Sequence, residues 1–169
     1  AVRTLLEKKA DVNAAQKDGA TALHWAVWRE DAEMVGMLIR AGANVNAANK
    51  EGATPLFLAS ANGSAAILEL LLKAGVDPNV RTSEFGDTAL MLAARSGRLD
   101  AVKALLDHGA NPSTQETWGG TTALMWAASE RHPDVVALLL SKGANPNVRT
   151  KIVPAAQRRG DGNMKSFVP

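Results

Sequence analysis

Gly52–Asn79, GATPLFLASANGSAAILELLLKAGVDPN, decides the fold, because the chain writes the same outline four times. A glycine and a threonine lead into a short apolar stretch, an LLLKAG-like run follows, and a short D-x-N closes the unit. The outline recurs from Gly19 to Asn46, from Gly86 to Ser113 and from Gly120 to Asn147. The leading glycines, Gly19, Gly52, Gly86 and Gly120, are spaced by 33, 34 and 34 residues, and Gly42, Gly75, Gly109 and Gly143 repeat that spacing. A fixed period of this size is the signature of a solenoid, whose units bury their apolar faces only against their neighbours.

Residues 1–17 read as the second half of one more unit. VRTLLEKKADVN at 2–13 lies 33 positions before residues 35–46, which predicts a helix over roughly Val2–Lys8, with Lys9 in place of the helix-ending glycine. The chain starts in mid-unit without an initiator methionine, as a fragment of a longer protein or a processed one would. Whole units then cover 18–50, 51–84, 85–118 and 119–150, and an irregular basic tail or truncated inter-repeat finger covers 151–169. A fifth unit would need its glycine near 153 or 154, where Val153-Pro154 stands, so weak order is expected beyond about residue 155.

Each unit predicts two helices. Thr21, Thr54, Thr88 and Thr122 stand as N-caps before first helices at about 22–29, 55–61, 89–95 and 123–130, with Pro55 at a first helical position. Gly63 and Gly97 end two of these, as a left-handed helix terminus prefers. Glu30 and Arg131 hold the matching places, which predicts positive φ at both and strain of roughly 1 kcal/mol each. Second helices follow at about 32–40, 65–73, 99–107 and 133–141, with apolar residues at i, i+3 and i+4, as in Val35, Leu38 and Ile39. Ala26, Ala59, Ala93 and Ala127 recur where neighbouring helices must approach closely. Between units, AAQKDG, AANKEG, VRTSEFG and STQETWGG carry turn formers around a few extended residues and predict protruding β-hairpins.

Composition fits this outline. The 169 residues are rich in Ala and Leu, hold no tyrosine and carry a formal charge of +2. Lys151, Arg158, Arg159 and Lys165 supply basic charge in the tail, leaving the repeats close to neutral, which argues against nucleic acid as a partner. No apolar run is long enough to span a membrane, and the absence of cysteine excludes disulfides.

At this point the residues identify a family. GATALHWA, GATPLFLA, GDTALMLA and GTTALMWA, each followed by an LLxxGAxxN-type segment, resemble the ankyrin repeat over Ala1 to about Arg149. The LMWAA flavour and the longer fingers are similar to bacterial arrays. The resemblance implies an all-α repeat solenoid of stacked antiparallel helix pairs, with projecting β-hairpin loops and a concave ligand surface made by fingers and first helices. It also implies a non-enzymatic module, without cofactor or metal, that binds another protein as a monomer. The family's histidine survives only as His24, replaced by Phe57, Met91 and Met125, so its hydrogen-bond ladder is mostly lost. The unit-ending asparagines, Asn13, Asn46, Asn79 and Asn147, look buried and are expected to satisfy loop backbone groups.

The chemistry of the remaining residues is sparse. His24, His108 and His132 are too scattered for a metal motif, and read as a turn hydrogen-bonder and two helix-end residues. The serines and carboxylates form no nucleophile–base–orienter set, and no phosphate loop is present. Large side chains stand where the fold does not need them: Trp28 and Arg29 at the end of a first helix, with Asn62, Arg95 and Glu130 near equivalent places. On the fingers, Phe85 and Trp118 take the extra-residue sites, with Asp87 beside them. Aromatics and arginine are enriched in binding hot spots, so these eight residues are the candidate partner contacts. The alternative for Phe85 and Trp118 is that they pack on each other and stiffen adjacent fingers; the alternative for the array is a segment that only spaces or scaffolds its neighbours. Trp25 and Trp126 fall at a leucine position and are expected in the core.

Overall fold

The computed structural model describes residues 10–81 and 85–151. The expectations for the helix at Val2–Lys8, for Lys9 and for the chain after Lys151 lie outside them. Among the described residues eight helices run in pairs: α1 (Ala22–Trp28) and α2 (Ala32–Arg40), α3 (Pro55–Asn62) and α4 (Ala65–Lys73), α5 (Ala89–Arg95) and α6 (Leu99–Asp107), α7 (Ala123–Ser129) and α8 (Pro133–Ser141). The second helices have the predicted bounds, and the first helices end within one residue of them. Each first helix packs on the next first helix, and each second helix on the next second helix. The result is an all-α solenoid.

The core is one continuous cluster threaded through the units. Leu23, Leu56 and Leu90 are at most 1% exposed, and the small-residue row Ala26, Ala59, Ala93 and Ala127 at most 4%. Side chains that small let helix backbones close on each other with no void between, so bulk at these positions would force the stack apart.

Helix starts follow the threonines. The hydroxyls of Thr54, Thr88 and Thr122 accept from the N–H groups of Phe57, Met91 and Met125 at 3.2, 3.4 and 3.3 Å, satisfying donors that the helix itself leaves open. In the first unit His24 takes over. Its Nδ1 receives the Thr21 N–H at 3.1 Å and faces the Thr21 hydroxyl at 2.9 Å. Nδ1 is thereby the acceptor, so Nε2 carries the proton and donates to the Ala53 carbonyl of the following unit at 3.1 Å. The imidazole is buried, which holds its pKa below the ordinary value despite the carbonyls of Ala53 and Ala47 and the nearby Asp18.

Helix ends bear out the strain expected at two positions. Gly63 and Gly97 have φ of 70° and 68°, and Glu30 and Arg131 share that left-handed backbone at 56° and 62°. The next unit explains the choice of residue. A Cβ on Gly63 would fall 2.2 Å from Arg98 Cγ, and one on Gly97 would fall 2.4 Å from His132 Cε1. Arg98 and His132 are the N-caps of α6 and α8. The residue in register ahead of Glu30 is the smaller Ser64, the N-cap of α4. Glycine thus stands where the following unit leans a large side chain over the turn.

Among the described residues two of the fingers are closed by single antiparallel bridges, Ala15 with Thr21 and Arg81 with Thr88, and no strand ladder is formed. Their backbones are tied from unit to unit. Lys50 N–H donates to Asp18 O at 2.8 Å, Thr117 N–H to Phe85 O at 2.9 Å and Lys151 N–H to Gly119 O at 2.7 Å. At the opposite side of each unit Asp11, Asn44, Asp77, Asn111 and Asn145 each accept from the N–H two residues on, at 2.9–3.0 Å. The unit-ending asparagines are exposed, contrary to expectation. They work from the surface: Asn13 and Asn79 donate to Gly42 O and Gly109 O and accept from the N–H of Asn44 and Asn111, bridging adjacent loops.

Candidate partner-binding face

The C-terminal ends of the first helices line up along the array because each unit repeats the last. Positions spaced i, i+3 and i+4 on such a helix share a face. Counting the C-cap that follows α1, α5 and α7, that face holds Trp25, Trp28 and Arg29 at α1, Leu58, Ala61 and Asn62 in α3, Leu92, Arg95 and Ser96 at α5, and Trp126, Ser129 and Glu130 at α7. Leu58 and Leu92 are buried, at 7% and 8% exposed.

Trp25 and Trp126 occupy the same register as those leucines but are only half-buried, which corrects their expected place in the core. An indole is larger than the leucine-sized space the stack provides, so part of each ring stands out on the face. Trp25 meets Trp28 edge to face, with ring centroids 5.8 Å apart at 84°. This is the favoured arrangement for two π-systems. The Trp25 indole N–H is buried without a hydrogen-bond partner. Trp28 itself remains 38% exposed.

At the other end of the face Arg95 lays its guanidinium over the Trp126 ring, 4.8 Å from the centroid. Its Nε stands 3.9 Å from Glu130 Oε1, both side chains being over a third exposed. A pair this long and this solvated adds little stability, so the ring contact is what orients the guanidinium. The Arg95 carbonyl accepts from His132 Nε2 at 3.1 Å, which fastens the end of α5 to the start of α8. Three candidates are thus set: Arg95 and Glu130 meet each other, and Trp28 meets Trp25. Arg29 is exposed at the end of α1, and Asn62 is half-buried between the two clusters.

The remaining candidates are on the fingers. Phe85 and Trp118 are half-buried and Asp87 is only 9% exposed, so a partner reaches little of that aspartate. Thr117 joins the two long fingers, donating both its N–H and its hydroxyl to Phe85 O at 2.9 and 2.6 Å. Sequence reasoning missed the residue that shapes the second of them. Glu116, 4% exposed, accepts from the N–H groups of Trp118, Gly119 and Thr121 at 2.6, 2.6 and 3.1 Å. Burial pushes its carboxyl pKa up, but these backbone donors and the Thr121 hydroxyl outweigh it and hold the pKa below the usual value. Asn49 does the same work in the shorter finger, accepting from the N–H of Glu51 and Ala53 at 3.2 and 2.8 Å. The turn closes from Asn49 N–H to Ala53 O in one case and from Glu116 N–H to Thr121 O in the other. The extra residue is therefore inside that turn.

A family model for ankyrin repeats, three copies long, matches residues 1–82 and again 67–150. The chain is an ankyrin-repeat protein. Ankyrin repeats serve generally as protein–protein interaction modules, and the family is typically non-enzymatic. No curated protein matches this ankyrin chain. Among the described residues no cluster of three or more His, Cys, Asp or Glu is placed to hold a metal ion. Among them, too, no helix of the array is long and apolar enough to cross a membrane.

Proposed function

We propose that this ankyrin array recognises a protein partner through the face formed by the ends of its first helices, the surface that the family resemblance makes concave. The observation that carries the reading is Trp28, an indole left 38% exposed on a helix end where neighbouring units carry alanine, arginine and serine. Trp25 on one side and the Trp126–Arg95–Glu130 group on the other extend the same face. Tryptophan and arginine supply large contact areas, and both are held by ring contacts before a partner arrives, so little ordering entropy is lost on binding. The finger residues Phe85 and Trp118 form its rim.

The test is a pull-down from the native source with the intact chain and with Trp28→Ala/Arg95→Ala, circular dichroism confirming that the variant keeps its helices. Truncating two anchors should weaken capture by about thirtyfold or more, taking a combined hot-spot loss of at least ~2 kcal/mol. Equal recovery of the partner by both would refute this face. Recovery of no partner by either would favour a scaffolding segment.

A further inference from the structure

Arg95 is held in place without being satisfied. Its guanidinium lies 4.8 Å from the centroid of the Trp126 ring, a contact that fixes the group but accepts none of its N–H donors. The Glu130 carboxylate, 3.9 Å from Nε, is beyond hydrogen-bond reach. Among the described residues the guanidinium donates to no acceptor, and the side chain is 38% exposed. Charge on the face runs the same way. Arg29 and Arg95 stand against Glu130 alone, and Glu30 and Arg131 in the adjoining turns cancel.

Shape supplies a second observation. Trp28, Ala61 and Arg95 occupy one register in three successive units, so an exposed methyl lies between an indole and a guanidinium. Packed helices sit about 8–10 Å apart, which puts the two tall side chains roughly 16–20 Å from each other across a low saddle.

We propose, resting on the partner face described above, that the occupant of this saddle is an acidic peptide segment of the partner. A carboxylate of the segment meets Arg95 in a two-pronged hydrogen bond, an apolar side chain packs on Trp28, and the backbone between them crosses Ala61. An arginine fork matches a carboxylate two donors to two oxygens, and the charge makes both bonds stronger than neutral ones. Because Trp126 already holds the guanidinium, little freedom is lost when the acid arrives. The span between the two contacts corresponds to about five or six extended residues or about 11–13 helical ones. Glu130 opposes the incoming charge without engaging Arg95 closely, so its removal favours the same partner.

The experiment pans a phage-displayed library of random peptides, about 16 residues long to reach across the saddle in either form, on the immobilised full chain. Recovered peptides are synthesised and titrated against the parent, Trp28→Ala, Arg95→Lys, Arg95→Glu and Glu130→Gln, with circular dichroism confirming each fold. The peptides should carry Asp or Glu at a fixed separation from an apolar residue. Arg95→Lys, which keeps the charge but loses the fork, should weaken binding about fivefold, and Trp28→Ala about tenfold. Arg95→Glu should abolish binding, and a lysine in place of the peptide's acid should restore it. Glu130→Gln should strengthen binding about threefold, a gain that a purely structural Arg95 would not give. Peptides that need Trp28 but bind Arg95→Glu as well as the parent overturn the acidic occupant and leave the face standing. Peptides indifferent to both Trp28 and Arg95 overturn the face and this inference with it. A library that yields no peptide lost on Arg95→Glu overturns the inference as well.

Discussion

Gly97→Ala separates two sources of strain that meet at one turn. The backbone there has φ 68°, and a side chain in the left-handed region costs about 1–2 kcal/mol. Replacing glycine also narrows the unfolded ensemble, which returns about 0.4–1 kcal/mol and leaves a net backbone cost of ~0.5–1 kcal/mol. The new methyl would then sit 2.4 and 2.5 Å from His132 Cε1 and Nδ1. The ring cannot keep its place, and its 3.1 Å bond to the Arg95 carbonyl goes with it. Losing that bond adds about 1 kcal/mol, for a total near 2 kcal/mol. Urea unfolding of four proteins measures this: parent, Gly97→Ala, His132→Ala and the double variant. With the ring gone, Gly97→Ala should cost only the backbone share, giving a coupling of about 1 kcal/mol between residues of adjacent units. Equal costs for Gly97→Ala in both backgrounds would refute the steric argument, and a cost below about 0.3 kcal/mol would refute the backbone argument as well.

The converse changes, Glu30→Gly and Arg131→Gly, relieve the same backbone and should each raise stability by about 0.5–1 kcal/mol in urea; a loss at either would contradict the reading of its turn. His24 is held neutral, so the unfolded chain binds a proton that the folded chain refuses. Its contribution is complete above the ordinary imidazole pKa of ~6.5 and falls as pH drops from there toward the lowered folded value. His24→Met, which copies the residue that the third whole unit carries at Met91, should flatten stability as pH falls below ~6.5, and an unchanged slope would show that other groups set it. Glu116 works at lower pH: its stabilisation is full above the ordinary carboxyl pKa of ~4.3 and is lost as pH falls through its depressed folded value. Glu116→Gln should cost about 1–3 kcal/mol and speed exchange at the Gly119 and Thr121 amides at neutral pH; full protection there would show that the carboxylate is not what holds the turn.

Legibility in the sequence follows the range of the interaction. The second helices are readable to the residue because an amphipathic period, a first-turn starter and a terminal glycine all act within the same ten positions. The positive φ of Glu30 and Arg131 is readable for the same reason, since alignment with Gly63 and Gly97 transfers a local backbone requirement. What the repeat cannot show is how large a side chain the next unit presents, so the glycines read as turn residues and not as space left for Arg98 and His132. Trp25 and Trp126 are misplaced when register is equated with burial, because a leucine-sized site cannot swallow an indole. Glu116 escapes notice because a carboxylate in a polar finger resembles solvated charge until the folded turn brings three amides to it. For the candidate face, Trp28, Arg95 and Glu130 stand out by their departure from the repeat, but the stacking of Arg95 on Trp126 joins residues from successive units.

The fit of large N-cap side chains over glycine turns makes the units unequal as building blocks. Excising 85–118 would bring His132 onto Gly63, which has room for it. Excising 51–84 would instead bring Arg98 onto Glu30, whose Cβ fills the left-handed turn. Two internal segments that look interchangeable on paper therefore differ in whether the chain can lose them. Duplication and deletion, the means by which repeat arrays change length, are channelled toward breakpoints where a glycine happens to precede a bulky neighbour.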